Sequence, residues 1–173
     1  MKTHQYHSTV TWTGNKGSGT SDYLSYSRDH IIAIENKPDL HGSSDTAFRG
    51  DGTKHNPEDM LLASLSVCHM LWYLHLCADA GIIVTAYTDT PSGVLQEREG
   101  GGGKFTEVNL QPRVTITNTD MIELALSLHD KAHDNCFIAN SVRFPVKHEP
   151  RILINNESGV PSQTMRIMNE WQR

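Results

Sequence analysis

The sequence predicts an α+β fold with mainly antiparallel sheets, one long central helix and a second helix later in the chain. Polar and apolar residues alternate in the strand manner on both sides of a nearly continuous apolar stretch of helical length. Glycine-rich turns separate neighbouring strand segments, which is typical of hairpins and therefore of antiparallel pairing. The resulting order is strands, helix, strands, helix, strand.

The first 35 residues predict an N-terminal sheet. Alternation occurs over residues 7–13, 20–26 and 31–34, and glycines separate the first segment from the second. Residues 37–55 are rich in Pro, Gly, Ser, Asp and Lys, so they predict a long irregular connection. Connections of this length in compact domains usually have a function.

A helix start follows this connection. Asn56 is a cap residue, Pro57 suits the first helical position, and Glu58 and Asp59 are acids in the first turn. The helix should run to about residue 80 and stop at Gly81. Its apolar residues leave no wide polar stripe, so we expect a central helix buried on most sides.

Further strands and a second helix complete the predicted domain. The segments 82–87, 93–98 and 105–117 read as strands, and the glycines at 100–103 read as a turn between two of them rather than a phosphate-binding loop. A second helix should run from about residue 119 to residue 136, followed by strands at 142–149 and 151–154. We expect one domain over residues 1–155 and a tail over 156–173 that has no clear pattern, apart from apolar residues that suit a short helix.

Composition excludes several classes of function. The 173 residues carry a formal net charge of −5 without a basic cluster, so we expect neither nucleic acid nor an anionic membrane as a partner. The N-terminal residues lack a secretory signal and no uninterrupted apolar run reaches the length of a bilayer span, which predicts a cytoplasmic protein. Three cysteines are too few for a disulfide scaffold, and they are therefore reactive or simply buried thiols.

The cysteines differ in their sequence setting. Cys68 lies inside the apolar helix, where a cysteine is usually a small hydrophobic residue. A reactive Cys68 would need a cation from another segment, and Arg49 is the nearest candidate upstream. Cys77 is nine positions from Cys68, hence on the opposite helix face, and should be structural. Cys136 follows the second helix at an end expected to lie near the surface.

Two linked segments resemble the OsmC/Ohr family, named for osmotically inducible protein C and the organic hydroperoxide resistance protein. The first contains the loop 48–51, the Asn-Pro-Glu helix start at 56–58, and Cys68 ten residues after Glu58. The second is the segment 133–141, which holds Cys136 after the second helix. The order of strands and helices agrees with the family from about residue 3 to residue 154.

The resemblance implies a two-cysteine thiol peroxidase of the oxidative stress response, which reduces organic hydroperoxides without a cofactor or metal. Cys68 would be the peroxidatic thiol that becomes a sulfenic acid, and Cys136 the resolving thiol that forms a disulfide with it. Arg49 and Glu58 would hold the thiolate and orient the peroxide. The resemblance also implies an intertwined homodimer and a dithiol reductant of the lipoyl type, such as dihydrolipoamide.

Helix geometry adds one expectation to this scheme. Glu58 and Cys68 are about 15 Å apart along a straight helix, so they cannot touch within one chain. We therefore expect a site shared between the two subunits.

Alternatives to these assignments remain open from the sequence. Arg28, in the N-terminal sheet, competes with Arg49, because other family members place the arginine in that sheet. A metal-binding or thiol-sensing module of the same fold without turnover is the main rival function, and its candidate ligands are Cys68, His69, His75, Cys77, His129 and His133. A Cys-His hydrolase and a relative that has lost the activity are weaker rivals.

Overall fold

Two helices and three small sheets form the described part of the chain. A computed structural model of the protein describes residues 2–155, so the predicted tail lies outside the described residues. The chain divides into two compact units, one ending at Leu65 and the other beginning at Ser66. The helix that carries Cys68 contributes to both units.

The first unit contains a three-stranded antiparallel sheet in chain order. The predicted strand over residues 20–26 is wrong, because polar side chains bind the backbone there and form turns. Asp22 Oδ1 accepts from the Leu24 amide at 2.8 Å, and Ser25 Oγ accepts from the Asp22 amide at 3.2 Å. The strands are β1 Thr9–Trp12, β2 His30–Ala33 and β3 Leu40–Gly42.

The predicted irregular connection is more ordered than expected. It contains β3 and a short 3-10 helix, Thr46–Phe48. In contrast, the sheet of the first unit is poorly covered within one chain. All four residues of β1 are exposed, including Val10 at 64% and Trp12 at 43%.

The long helix α1, Pro57–Asp79, begins and ends where the sequence predicts. Asn56 Oδ1 accepts from the Asp59 amide at 2.8 Å, and Gly81 follows with a φ of +73°. The prediction of burial on most sides is wrong for one chain. Only one face is buried, through Leu65, His69, Tyr73 and Cys77, while Val67 and Leu71 are 48% and 59% exposed. By length and composition α1 is apolar enough to span a bilayer, a property it shares with core helices of water-soluble proteins.

The second unit contains two three-stranded sheets and the second helix. One sheet has the order β4-β7-β9 and the other β5-β6-β8, and each combines one antiparallel and one parallel pairing. Antiparallel pairs therefore predominate over the described residues, as predicted. The strands are β4 Val84–Thr88, β5 Ser92–Glu97, β6 Gly103–Leu110, β7 Arg113–Ile116, β8 Val146–His148 and β9 Arg151–Ile154.

The predicted single strand over 105–117 is wrong, since it divides at Pro112 into β6 and β7, which belong to different sheets. Proline has no amide hydrogen to donate to a ladder, so it interrupts the strand. The strand predicted over 142–149 is shortened to β8, because the chain bends at residues 143–144, directly before Pro145.

The second helix, α2 Ile122–Asn135, packs on the core of the second unit. A 3-10 turn capped by Asn118 precedes it, and Asn118 Oδ1 accepts from the Asp120 amide at 2.9 Å. The buried residues of α2 are Ala125, Leu128, His129 and Ala132. Cys77 lies in the same core, which confirms its structural role.

Candidate functional site

The two thiols predicted to react lie side by side in the second unit. Cys68 is half-buried on α1, and Cys136 is 1% exposed directly after α2. Burial has the largest effect on the pKa of Cys136 and raises it. The Cys68 thiol is close enough to raise the pKa of Cys136 further. Both cysteines are free thiols. The fold therefore juxtaposes two reduced sulfur atoms from different helices.

A tight turn holds Cys136 at the end of α2. The Cys136 amide donates to the His133 carbonyl at 3.1 Å, and the Ala139 amide donates to Cys136 Sγ at 3.4 Å. Burial raises the pKa of Cys136 to about 11, so this sulfur is a protonated thiol at neutral pH. The neighbouring Phe137 is 70% exposed, so the helix end is at the surface as expected while the thiol is not.

Aromatic side chains border the thiol pair. The rings of Trp72, one turn after Cys68, and Phe137, next to Cys136, meet edge to face at 5.7 Å. These rings give the pair an apolar neighbourhood.

Polar contacts anchor the turn of α1 that precedes Cys68. Ser66 Oγ donates to Asp89 Oδ2 at 2.6 Å, while Asp89 Oδ1 accepts from the Gln111 amide at 2.7 Å. Asp89 thus links α1 to the connection between β6 and β7. Such directional bonds fix the helix against the sheets more closely than apolar packing alone.

Arg49 lies in the first unit, on a strained turn. It follows the 3-10 helix Thr46–Phe48, and its backbone has a φ of 65° and a ψ of 29°. Residues other than glycine rarely adopt this left-handed conformation. The Gly50 amide donates to the Asp45 carbonyl at 2.9 Å, and a Cβ at Gly50 would stand 1.5 Å from the Ser44 carbonyl oxygen. The turn is therefore tightly built, and it carries an exposed arginine.

The base of this loop is tied to the sheet of the first unit. The Ser43 amide donates to the His55 carbonyl at 3.0 Å, and Ser43 Oγ accepts from the Asp51 amide at 3.1 Å. Lys54 Nζ pairs with Asp29 Oδ2 at 2.8 Å, and this contact lowers the pKa of Asp29.

Arg28 has a local structural role. Its two terminal nitrogens donate to the carbonyls of Tyr26 and Tyr23 at 2.8 and 2.9 Å. Its guanidinium also lies over both tyrosine rings, 4.3 and 4.2 Å from their centroids. These contacts use the guanidinium to hold the turns between β1 and β2.

Glu58 is half-buried in the first turn of α1. Ten helical residues separate it from Cys68, about 15 Å along the axis. Of the four predicted site residues, Cys68 and Cys136 are brought together in the second unit. Arg49 and Glu58 belong to the first unit.

The structure brings together only part of the histidine set considered as metal ligands. His69 Nε2 and His129 Nδ1 are 2.9 Å apart, whereas His75 is exposed beside Asp79 and Cys77 lies in the core. Within residues 2–155, no group of three or more His, Cys, Asp or Glu side chains is arranged to hold a metal ion. The sequence missed the His69–His129 pair, although His129 and His133 on one helix face were a partial signal.

Comparisons with known proteins agree on one family. The family model described as OsmC-like protein matches residues 50–151, more than half of the chain. The structure of an OsmC-like protein of unknown function from Vibrio cholerae is 30% identical, with a TM-score of 0.78 over 86% of this chain and 100% of the other. Among curated proteins, no sequence matches the chain.

More distant solved structures share the fold. An organic hydroperoxide resistance protein from Elizabethkingia anophelis is 22% identical, with a TM-score of 0.64 over 90% of this chain and 100% of its own. The organic hydroperoxide resistance protein OsmC from Legionella pneumophila is 18% identical, with a TM-score of 0.64 over 88% and 98% of the two chains.

Proposed function

The chain belongs to the OsmC-like protein family, and from this premise we propose that it is a two-cysteine thiol peroxidase that reduces organic hydroperoxides. The observation that carries the proposal is the proximity of the free thiols of Cys68 and Cys136, which are close enough for Cys68 to raise the pKa of Cys136. Packing in a core does not require two cysteines to be neighbours. Two neighbouring thiols, one on α1 and one directly after α2, beside the exposed ring of Phe137, suit a disulfide-forming cycle.

The reaction proceeds in two steps. The Cys68 thiolate attacks the terminal oxygen of the hydroperoxide, the S–O bond forms and the O–O bond breaks. Cys68 becomes a sulfenic acid, and the leaving alkoxide takes up a proton equivalent to the one that the Cys68 thiol released, so it departs as the alcohol. Cys136 then attacks the Cys68 sulfur, and the S–O bond breaks as the S–S bond forms. Because Cys136 is protonated at neutral pH, its proton leaves with the hydroxide as water.

We assign the activating cation to Arg49 rather than Arg28. The guanidinium of Arg28 is already bound to two carbonyls and two rings, whereas Arg49 is exposed on a strained turn. Strain of this kind persists only where the surrounding structure enforces it, and it concentrates at functional sites. A guanidinium stabilises the thiolate and donates to the peroxide oxygen that gains charge, and Glu58 orients it through a bidentate pair.

We further propose a homodimer in which the second copy of the chain completes the site. Two apolar surfaces support it, namely the face of α1 with Val67 and Leu71 and the sheet face with Val10 and Trp12. Such surfaces in a soluble protein mark association sites. The distance between Glu58 and Cys68 on one helix supports a Glu58 supplied by the other chain.

The substrate class follows from the apolar surroundings of the thiols. Trp72 and Phe137 favour an alkyl or aryl hydroperoxide over hydrogen peroxide. The fold relatives from Elizabethkingia anophelis and Legionella pneumophila, which are organic hydroperoxide resistance proteins, support the same class. A dithiol of the lipoyl type reduces the disulfide, and a reducing compartment such as the cytoplasm suits the cycle.

Peroxide consumption in the presence of excess dithiol tests this function. We expect the wild-type protein to consume cumene hydroperoxide faster than hydrogen peroxide, and Cys68→Ser to consume neither. Cys136→Ser should turn over more slowly, and Cys77→Ser, a control in the core, should retain its rate if folded. A Cys68→Ser variant that keeps the wild-type rate would contradict the proposal.

A further inference from the structure

Four imidazole rings pack together in the second unit, close to the thiols. This histidine cluster consists of His69 on α1, His129 and His133 on α2, and His148 on β8. The rings of His69 and His129 are stacked at 5.3 Å, and His148 lies 5.5 Å from His69 and 5.3 Å from His133. His69 and His129 are fully buried.

A single hydrogen bond joins the two buried rings. His69 Nε2 and His129 Nδ1 are 2.9 Å apart, so one of these nitrogens carries the shared proton and the other accepts it. The outer nitrogens, His69 Nδ1 and His129 Nε2, have no hydrogen-bond partner among the described residues. The hydrogen bond forms when both rings are neutral or when one ring is protonated. It is lost when both rings are protonated, because neither nitrogen can then accept.

The pair and the thiols are neighbouring contacts between α1 and α2. His69 directly follows Cys68 on α1. On α2, His129 lies about two helical turns, or about 10 Å along the axis, before the helix end that Cys136 directly follows. The imidazole pair and the thiol pair therefore lie near each other, where α1 packs beside α2 and its end.

We propose that the hydrogen bond between His69 and His129 positions α1 against α2 so that Cys136 can attack the oxidised Cys68. This role rests on the proposed function. The two histidines are positioning residues for disulfide formation, because they act through the helices that carry the sulfur atoms.

The composition of the helix contact supports this role. The other buried residues of α2 are Ala125, Leu128 and Ala132, and apolar contacts of this kind are not directional. Apolar contacts of this kind define the position of a helix less exactly than a hydrogen bond between two fixed atoms does. The hydrogen-bonded pair of His69 and His129 fixes the register, since a shift leaves both groups buried without that partner.

The two rings are uncharged near neutral pH, so their hydrogen bond stays intact. Burial lowers the pKa of His69 to about 4 and that of His129 to about 3, and neighbouring histidines add to both effects. Asp130 Oδ1 binds His148 Nε2 at 3.0 Å at the outer edge of the cluster, and the Tyr73 ring stacks on His129 at 3.8 Å. The groups that face the pair are thus Tyr73 from α1, Asp130 and His133 from α2, His148 from β8, and, behind Tyr73, Tyr87 from β4.

Disulfide formation is the step that depends on this geometry, and it needs no reagent besides the two cysteines. The Cys136 sulfur attacks the Cys68 sulfenic acid, an S–S bond forms and the S–O bond breaks. The hydroxide leaves with the proton of the Cys136 thiol as water. The attack needs the two sulfur atoms and the S–O bond in line, so a small helix shift slows it.

Separate kinetics of the two steps test the inference. We expect His69→Leu and His129→Leu to slow formation of the Cys68–Cys136 disulfide about tenfold, within the range for coupled buried contacts. In a Cys136→Ser background, the reaction of Cys68 with cumene hydroperoxide should change less than about twofold. His129→Asn, which retains a polar atom near the Nδ1 position, should restore most of the disulfide rate.

A double variant separates positioning from stability. His69→Leu/His129→Leu leaves neither group unpaired, so it should be more stable than either single variant and yet remain slow in disulfide formation. If it regains the wild-type rate together with its stability, or if the exposed control His75→Leu is equally slow, the positioning role is wrong. If the wild type forms the disulfide and both single variants form it at the wild-type rate, the positioning role is wrong and the proposed function stands. A wild type that forms none refutes the proposed function as well.

Discussion

Acid should destabilise this protein through the two buried rings of the histidine cluster. His69 and His129 are fully buried, and burial lowers their pKa values from 6.5 to about 4 and about 3. Both rings are therefore neutral in the folded state at pH 5, whereas in the unfolded chain they bind protons below pH 6.5. Unfolding takes up two protons, so the free energy of unfolding must fall as pH falls below about 6.5.

The size of the effect between pH 7 and pH 5 depends almost entirely on the unfolded state. With an unfolded pKa of about 6.5 and folded values well below 5, each ring costs about 1.8 kcal/mol over this interval. The two rings together cost about 3.5 kcal/mol, a large part of the stability of an ordinary domain. The loss continues down to the folded pKa values of about 4 and about 3.

Urea unfolding of the reduced protein at pH 7 and pH 5 measures this loss. The wild type should lose about 3.5 kcal/mol more than His69→Leu/His129→Leu, because the double variant lacks both titrating rings. His75→Leu, which removes an exposed histidine from the same helix, should behave as the wild type does. Parallel pH dependence in the wild type and the double variant would refute the assignment of two neutral buried rings.

Three further outcomes follow from the first unit and from α1. Arg49→Ala should reduce the peroxidase rate by about a hundredfold, as loss of an electrostatic donor does, while Arg28→Ala should lower the melting temperature and retain the rate. The reverse order would exchange their roles. Gly50→Ala should destabilise the loop by more than about 2 kcal/mol in thermal unfolding, because its Cβ would overlap the Ser44 carbonyl oxygen, and a stable variant would show that the turn can relax. Leu71→Lys should convert a dimer to monomers in light scattering, whereas Lys131→Glu should not; a Leu71→Lys dimer would place the interface elsewhere.

Elements whose signals are local were predicted well from the sequence. α1 begins at its asparagine cap and stops before Gly81, and Cys77 lies in the core, because caps and helix periodicity depend only on nearby residues. Alternation alone misled at residues 20–26, where Asp22 and Ser25 satisfy the backbone with their own side chains. Pro112 was a local signal that the long alternating run obscured.

For the candidate site, the sequence indicated individual residues but not the contacts between distant residues. The spacing around Cys68 and Cys136 singled out two residues whose thiols the fold places close together, but no local pattern in the sequence shows that proximity. The bond between His69 and His129 joins residues sixty positions apart, so it depends on the packing of α1 on α2. Burial of only one face of α1 was equally unpredictable, because composition does not show how much of a helix its own chain covers.

Disulfide mapping shows whether peroxide joins Cys68 to Cys136. The reduced protein is treated with a slight excess of cumene hydroperoxide, digested without reductant, and examined by mass spectrometry. We expect a Cys68–Cys136 bond in the wild type and in Cys77→Ser, and none in Cys68→Ser. Oxidised protein without that bond, or with a bond through Cys77, would contradict the proposed two-cysteine cycle.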